Sequence, residues 1–223
     1  MTDHQRLSIE GIGYDIAGRT LWNDITFQLG AGQALALRGP SGQGKSTMLR
    51  CLAGLERPPR GRVVVDGTDL HTASEGERRG LRRDTIGLVV QDHAVVPEWT
   101  VAQNLRVLRP RGVTRAALSD RIDEALLIVG LGGRRDARAG TMSGGEQQRV
   151  AVARVLAQRP RLVLADEPTA SLDTESAARV RSGLDALRAS GSAVVVATHD
   201  PALIAWAGAE RSLIRLGSDH GRP

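Results

Sequence analysis

The stretch Gly39-Pro40-Ser41-Gly42-Gln43-Gly44-Lys45-Ser46-Thr47 has the residue types and spacing that hold phosphate groups, G-x-x-x-x-G-K-[ST]. Glycines let backbone N–H groups turn inward around an anion. A helix expected over about 45–55 would add the positive end of its dipole. Lys45 is the single lysine in a chain with 29 arginines. A compact ammonium acts as a point charge among phosphate oxygens, which a planar guanidinium does not, so Lys45 would reach the β- and γ-phosphates. The Ser46 hydroxyl would bind Mg²⁺. Asp166-Glu167 closes an apolar run and suits the acidic half of such a site, with Asp166 holding Mg²⁺ through water and Glu167 orienting and deprotonating the attacking water. A general base of this kind is worth roughly 10²–10⁴-fold in rate. The alternative is that the acidic pair only caps the next helix. Ser143-Gly144-Gly145-Glu146 fits a capping box at the start of QQRVAVARVLAQ. It reads equally as a second anion site and as a plain helix start.

Four apolar runs must position these residues. ALALR (34–38), IGLVV (86–90), LVLA (162–165) and AVVVAT (193–198) lead into the glycine-rich loop, Gln91-Asp92, Asp166-Glu167-Pro168 and His199-Asp200. Continuous apolar runs of this kind, rich in β-branched residues, fit strands of a parallel sheet buried on both faces, and ligands sit beyond the carboxyl ends of such strands. LSIEGIGYDI and ITFQLG alternate like half-buried strands, and VVVDGTDL carries a hairpin signal at Asp66-Gly67. From about Ala94 to Arg138 short helices are expected, with Leu118, Ile122, Ala125, Leu126 and Val129 on one face.

Composition sets the outer bounds. The chain has 223 residues, 41 % hydrophobic and 25 % charged, enough to bury a core without a metal or disulfide staple. Cys51 is the single cysteine, which excludes an intrachain disulfide and a cysteine-rich zinc site. No apolar run is long enough for a membrane helix, and MTDHQRLSIEGIG lacks a signal peptide's apolar stretch, so a soluble, cytoplasmic chain is expected. The net charge of +5 comes from scattered basic residues, and no nucleic-acid partner is expected.

With these motifs in their order, nearly the whole chain resembles the nucleotide-binding subunit of an ATP-binding-cassette (ABC) transporter. The loop 39–47 is similar to the family's Walker A, Gln91 to its Q-loop, and Met142-Ser143-Gly144-Gly145-Glu146-Gln147-Gln148-Arg149 to its signature. LVLADEP is similar to Walker B, Ser171-Leu172-Asp173 to the D-loop and His199 to the switch histidine. Tyr14, otherwise a strand residue, stands where the family places an aromatic that stacks on adenine, and His199 would otherwise read as a possible core histidine. The SGGE, LADEPT and VVVATHD forms are similar to the subgroup of macrolide-export, lipoprotein-release and cell-division ATPases. Ala170-Ser171 and the phenylalanine-free Q-loop region depart from it.

The resemblance implies an α/β fold: a P-loop NTPase core, mainly parallel sheet flanked by helices, with an N-terminal antiparallel β subdomain and an inserted helical subdomain. Residues 1–91 and 146–223 would form the core and β subdomain, and 92–145 the helical subdomain. It further implies ATP and Mg²⁺ as ligands. Glu167, His199, Lys45 and Gln91 would be catalytic; Ser46, Gln91 and Asp166 would lie at the metal. Residues 39–47, Tyr14, Gln91, Ser143, Gly144, Gly145, Glu146, Asp166, Asp173 and His199 would lie around nucleotide. Two copies would meet head to tail, Ser143 and Gly145 of one contacting the γ-phosphate held by Lys45 of the other, with Asp173 crossing the interface. Segment 92–140 would contact integral-membrane permease subunits and hold the chain at the cytoplasmic face of the cell membrane. The work done would be export or extraction from the membrane. The rival readings are a signalling or remodelling module of a cell-envelope or division complex, and a soluble ATPase acting on DNA or ribosomes.

Overall fold

The computed structural model describes residues 5–40, 42–90, 92, 94–208 and the backbone of 213–215. Ser41 and Gln91 lie outside the described residues. The N-terminal strands β1 (Gln5–Ile16) and β2 (Arg19–Gly30) pair antiparallel. They join β4 (Arg60–Val65) and β5 (Thr68–Asp69) in a sheet of order β2-β1-β4-β5. The β4–β5 turn is the expected two-residue hairpin. Asp66 and Gly67 both have positive φ, 48° and 82°, as the turn that matches strand twist requires.

The second sheet has order β6-β7-β8-β3-β9, and all its pairings are parallel. Its strands β3 (Ala34–Arg38), β6 (Ile86–Val89), β7 (Leu162–Asp166) and β8 (Ala193–Ala197) are the four apolar runs. The fifth is β9 (Leu213–Arg215). Alternation along them divides the interior in two. Leu35, Leu37, Leu162, Leu164 and Val195 face a core shared with the antiparallel sheet and helix α1 (Lys45–Leu52). Ala34, Ala36, Val163, Ala165, Val194 and Val196 face a core shared with the helices. Both faces are therefore covered, which is why these strands read as unbroken apolar runs.

The helices include α2 (Glu75–Asp84), α3 (Val101–Arg106), α4 (Arg115–Ile128), α5 (Gly144–Gln158), α6 (Thr174–Ala189) and α7 (Pro201–Ala207). The expected face of α4 is buried, Val129 included. Helix α1 stops three residues before the expected Leu55, where Gly54 takes positive φ. Two buried amides fix what lies between the sheet and the helices. Asn104 accepts from the Val96 N–H and donates to the Val96 and Thr100 carbonyls, pinning the loop before α3. Gln158 donates to the carbonyls of Arg82, Arg83 and Ile86, anchoring the end of α5 to the start of β6. Among the described residues no helix is long and apolar enough to cross a membrane.

Candidate nucleotide site

The glycine-rich loop leaves β3 and enters α1, and its turn depends on glycine at two points. Gly42 and Gly44 have φ of 78° and 82°, where a side chain is strained. At Gly44 there is also no room, since a Cβ would stand 2.9 Å from Leu21 Cδ1 and Trp22 Nε1. Trp22 Nε1 donates to the Gly44 carbonyl at 3.3 Å, so β2 braces the loop from behind. Lys45 is 8 % exposed. A buried ammonium needs acceptors, and its Nζ donates to the Gly39 and Pro40 carbonyls at 2.7 and 3.1 Å.

A cleft of about 440 Å³ opens over this loop, lined by Gly42, Gly44, Lys45, Ser46 and Thr47 from the loop and α1 and by Asp166, Glu167, Ala170 and His199 from beyond β7 and β8. Asp166, half-buried, lies beside the Ser46 hydroxyl, and burial raises its pKa above the ordinary aspartate value. Glu167 has positive φ, 45°, and its N–H donates to the Ala197 carbonyl at 2.8 Å. That backbone turn aims the carboxylate at the next strand's end, where Oε1 lies 3.0 Å from His199 Nδ1 and Oε2 accepts the His199 N–H at 3.4 Å. Glu167's side chain is 14 % exposed and that of His199 76 %. The acidic pair caps no helix, because α6 is capped by Asp173. Thr169 and Asp200 are bonded at 2.8 Å and tie the two loops behind the pair.

Tyr14 does not line this cleft. Its ring packs on Trp22, centroids 5.5 Å apart, and burial and the neighbouring Glu56 raise its hydroxyl pKa. Ile16 (54 % exposed) and Leu21 line the cleft instead. The pairing of β1 with β2 slips between Tyr14↔Trp22 and Asp15↔Thr20, passing over Leu21. Strand alternation is broken there, so sequence alone could not assign Tyr14's direction. Ile16, Leu21 and Trp22 were not legible as site residues.

Ser143 caps α5, its hydroxyl accepting the Glu146 N–H at 3.2 Å while Glu146 accepts the Ser143 N–H at 2.9 Å. That bond holds the Glu146 carboxyl below its usual range. Gly145 sits against α6, where a Cβ would meet Ser176 Oγ at 2.8 Å. None of residues 143–146 lines the cleft over Lys45. Asp173 is exposed and bonded within its own helix, accepting from the Ser176 N–H and hydroxyl at 2.8 and 2.9 Å.

The sequence model of the family described as ABC transporter matches residues 22–170. The chain is 44 % identical over 191 residues to the lipoprotein-releasing system ATP-binding protein LolD 1 of Rhodospirillum rubrum, covering 83 % of this chain and 84 % of that one. It is also 44 % identical over 183 residues to LolD of Novosphingobium aromaticivorans, covering 80 % and 81 %. Among solved structures it resembles the dimeric ATP-binding cassette MJ0796 in a post-hydrolysis state bound to ADP and Pi, with TM-score 0.81, 30 % identity and 94 % of each chain covered.

Proposed function

The chain belongs to the ABC transporter family, and from that premise we propose that it is the ATP-hydrolysing subunit of a membrane complex that exports or extracts its cargo. The convergence of Lys45, Ser46, Asp166, Glu167 and His199 on one cleft carries this reading. The loop and Lys45 hold the β- and γ-phosphates. Glu167 accepts a proton from the attacking water, and His199, in contact with it, keeps that carboxylate oriented. The reaction is phosphoryl transfer to water, in which positioning and charge stabilisation do most of the work.

The residues present fit Mg²⁺. A half-buried carboxylate beside a serine hydroxyl is an all-oxygen donor set of the kind Mg²⁺ takes together with phosphate oxygens. Bound there by Ser46 and Asp166, with Gln91 as a third candidate, the ion would neutralise phosphate charge. Ile16 and Leu21 line the cleft and would flank the base of the nucleotide.

Residues 143–146 lie outside the cleft of their own chain, which supports a head-to-tail dimer in which Ser143 and Gly145 serve the partner's nucleotide and Asp173 lies near the junction. Segment 92–140 meets permease subunits, which hold the chain at the cytoplasmic face of the membrane. The LolD names of its relatives favour a lipoprotein-releasing system as the kind of complex.

Glu167→Gln tests the chemical core. Turnover should fall at least 10²-fold while nucleotide binding stays within about threefold, because shape is kept and only the proton acceptor is lost. ATP with Mg²⁺ should then give a dimer on size-exclusion chromatography that ADP does not. A fully active Glu167→Gln chain would remove Glu167 from this role.

A further inference from the structure

A second cavity, of about 530 Å³, is lined by residues that precede the parallel strands: Arg161 stands just before β7 and Gly191 shortly before β8. The nucleotide cleft lies beyond the other ends of the same strands, roughly 16 Å away at about 3.3 Å per residue.

Four guanidinium groups line it: Arg6 from β1, Arg121 from α4, Arg159 at the end of α5, and Arg161. Glu124 in the wall binds Arg159 at 2.6 Å, and Asp66 at the hairpin tip binds Arg6 at 3.1 Å and also Arg161. Two carboxylates therefore face four cations. Arg121 has no hydrogen bond or ion pair among the described residues, and the Arg6 Nε is buried without an acceptor.

The last carbonyls of α5 and α6 near the cavity accept backbone N–H groups from Arg159, Ser190, Gly191 and Ser192, which lessens their repulsion of an anion. Ala125, Ile128, Leu156 and Leu187 give the same cavity an apolar wall. A guanidinium fork matches phosphate oxygens in two-point contact. The volume is that of a small organic ligand and exceeds what one phosphate needs.

We infer that this cavity is a second anion site, binding a phosphorylated small molecule whose phosphate oxygens take the free donors of Arg121 and whose apolar part lies on Ile128 and Leu187. Its walls come from α4 on one side and from β1 and the lead-in to β7 on the other, so an occupant joins the helical layer to the sheets.

Inorganic pyrophosphate is the probe, titrated by calorimetry into the Lys45→Ala chain so that the P-loop cleft contributes little. That chain should bind it. Adding Arg121→Glu should weaken binding at least tenfold, and Arg121→Ala at least threefold. Arg115→Glu makes the same charge change on the first residue of α4, outside the cavity wall, and should cost less than twofold. Circular dichroism melting shows that each variant is folded. Absence of binding to the Lys45→Ala chain, or equal losses with Arg115→Glu and Arg121→Glu, would overturn the assignment, the second by showing diffuse attraction.

Discussion

The starts of α1 and α5 are both glycine-bearing helix N-termini, and they are built in opposite ways. At α1 the N-cap is Gly44 in the left-handed conformation, with no side-chain cap and no acidic residue in the first turn. Its N–H groups and the third donor of the adjoining Lys45 are left for a ligand's oxygens. At α5 the chain supplies its own capping box: Ser143 takes one N–H, and Glu146 brings a carboxylate back to the start of the helix. The box does not take the Gly144 and Gly145 N–H groups, and its own carboxylate opposes an anion. The same dipole makes a primary grip only where the chain withholds its own caps. The α5 start suits a ligand already held elsewhere, and the absence of residues 143–146 from the cleft wall agrees with that role.

The largest expected effect is at Lys45. Lys45→Ala should weaken nucleotide binding by more than a hundredfold. Lys45→Arg should do nearly as badly, because the planar group does not fit a buried position bonded to two loop carbonyls. Calorimetry with ATP reads both, and wild-type affinity in the arginine variant would break the contrast between the two helix starts.

A smaller effect, of unusual sign, is expected at Asp166. Its folded pKa is raised, chiefly by burial. The folded state therefore takes up a proton more readily than the unfolded one, and the ionised carboxylate costs stability at pH values above the ordinary aspartate range. Asp166→Asn should raise the melting temperature of the nucleotide-free chain at neutral pH and lose that gain at pH 3, where both states are protonated. The same variant should lose most of its ATP turnover. A lower melting temperature at pH 7 would contradict the assigned cause of the shift.

The smallest effect concerns the base. Aromatic stacking on a nucleobase is worth on the order of 1–3 kcal/mol, and Ile16 supplies only part of it. Ile16→Tyr should tighten ATP binding by roughly 3- to 10-fold. Tyr14→Ala should leave the base contact intact and act through the packing of Trp22 behind Gly44. A greater loss of affinity in the Tyr14 variant, at unchanged melting temperature, would return the base to Tyr14.

What was legible in the sequence depended on how local the cause was. The phosphate loop, the capping box at 143–146 and the hairpin at Asp66-Gly67 are set by adjacent residues. The four buried strands were legible because both faces are covered, which leaves unbroken apolar runs. The direction of Tyr14 was not, because it depends on a slip in the pairing of β1 with β2. Nor was the brace from Trp22 to Gly44, a contact across 22 positions. The cationic cavity joins Arg6 to Arg161 through Asp66, and no spacing rule connects them.

On the proposed function, the two helix starts serve one nucleotide across two chains. Lys45→Ala lacks the primary grip but keeps an intact α5 start, and Ser143→Arg has the reverse defect. Each should be inactive alone, and the wild-type chain at low concentration should show activity rising with about the square of its concentration. The decisive measurement is ATP turnover of the two variants mixed. Restored activity is expected, from a heterodimer with one intact composite site. An active Ser143→Arg chain whose rate is linear in concentration would contradict it and leave Ser143 as nothing more than the cap of its helix.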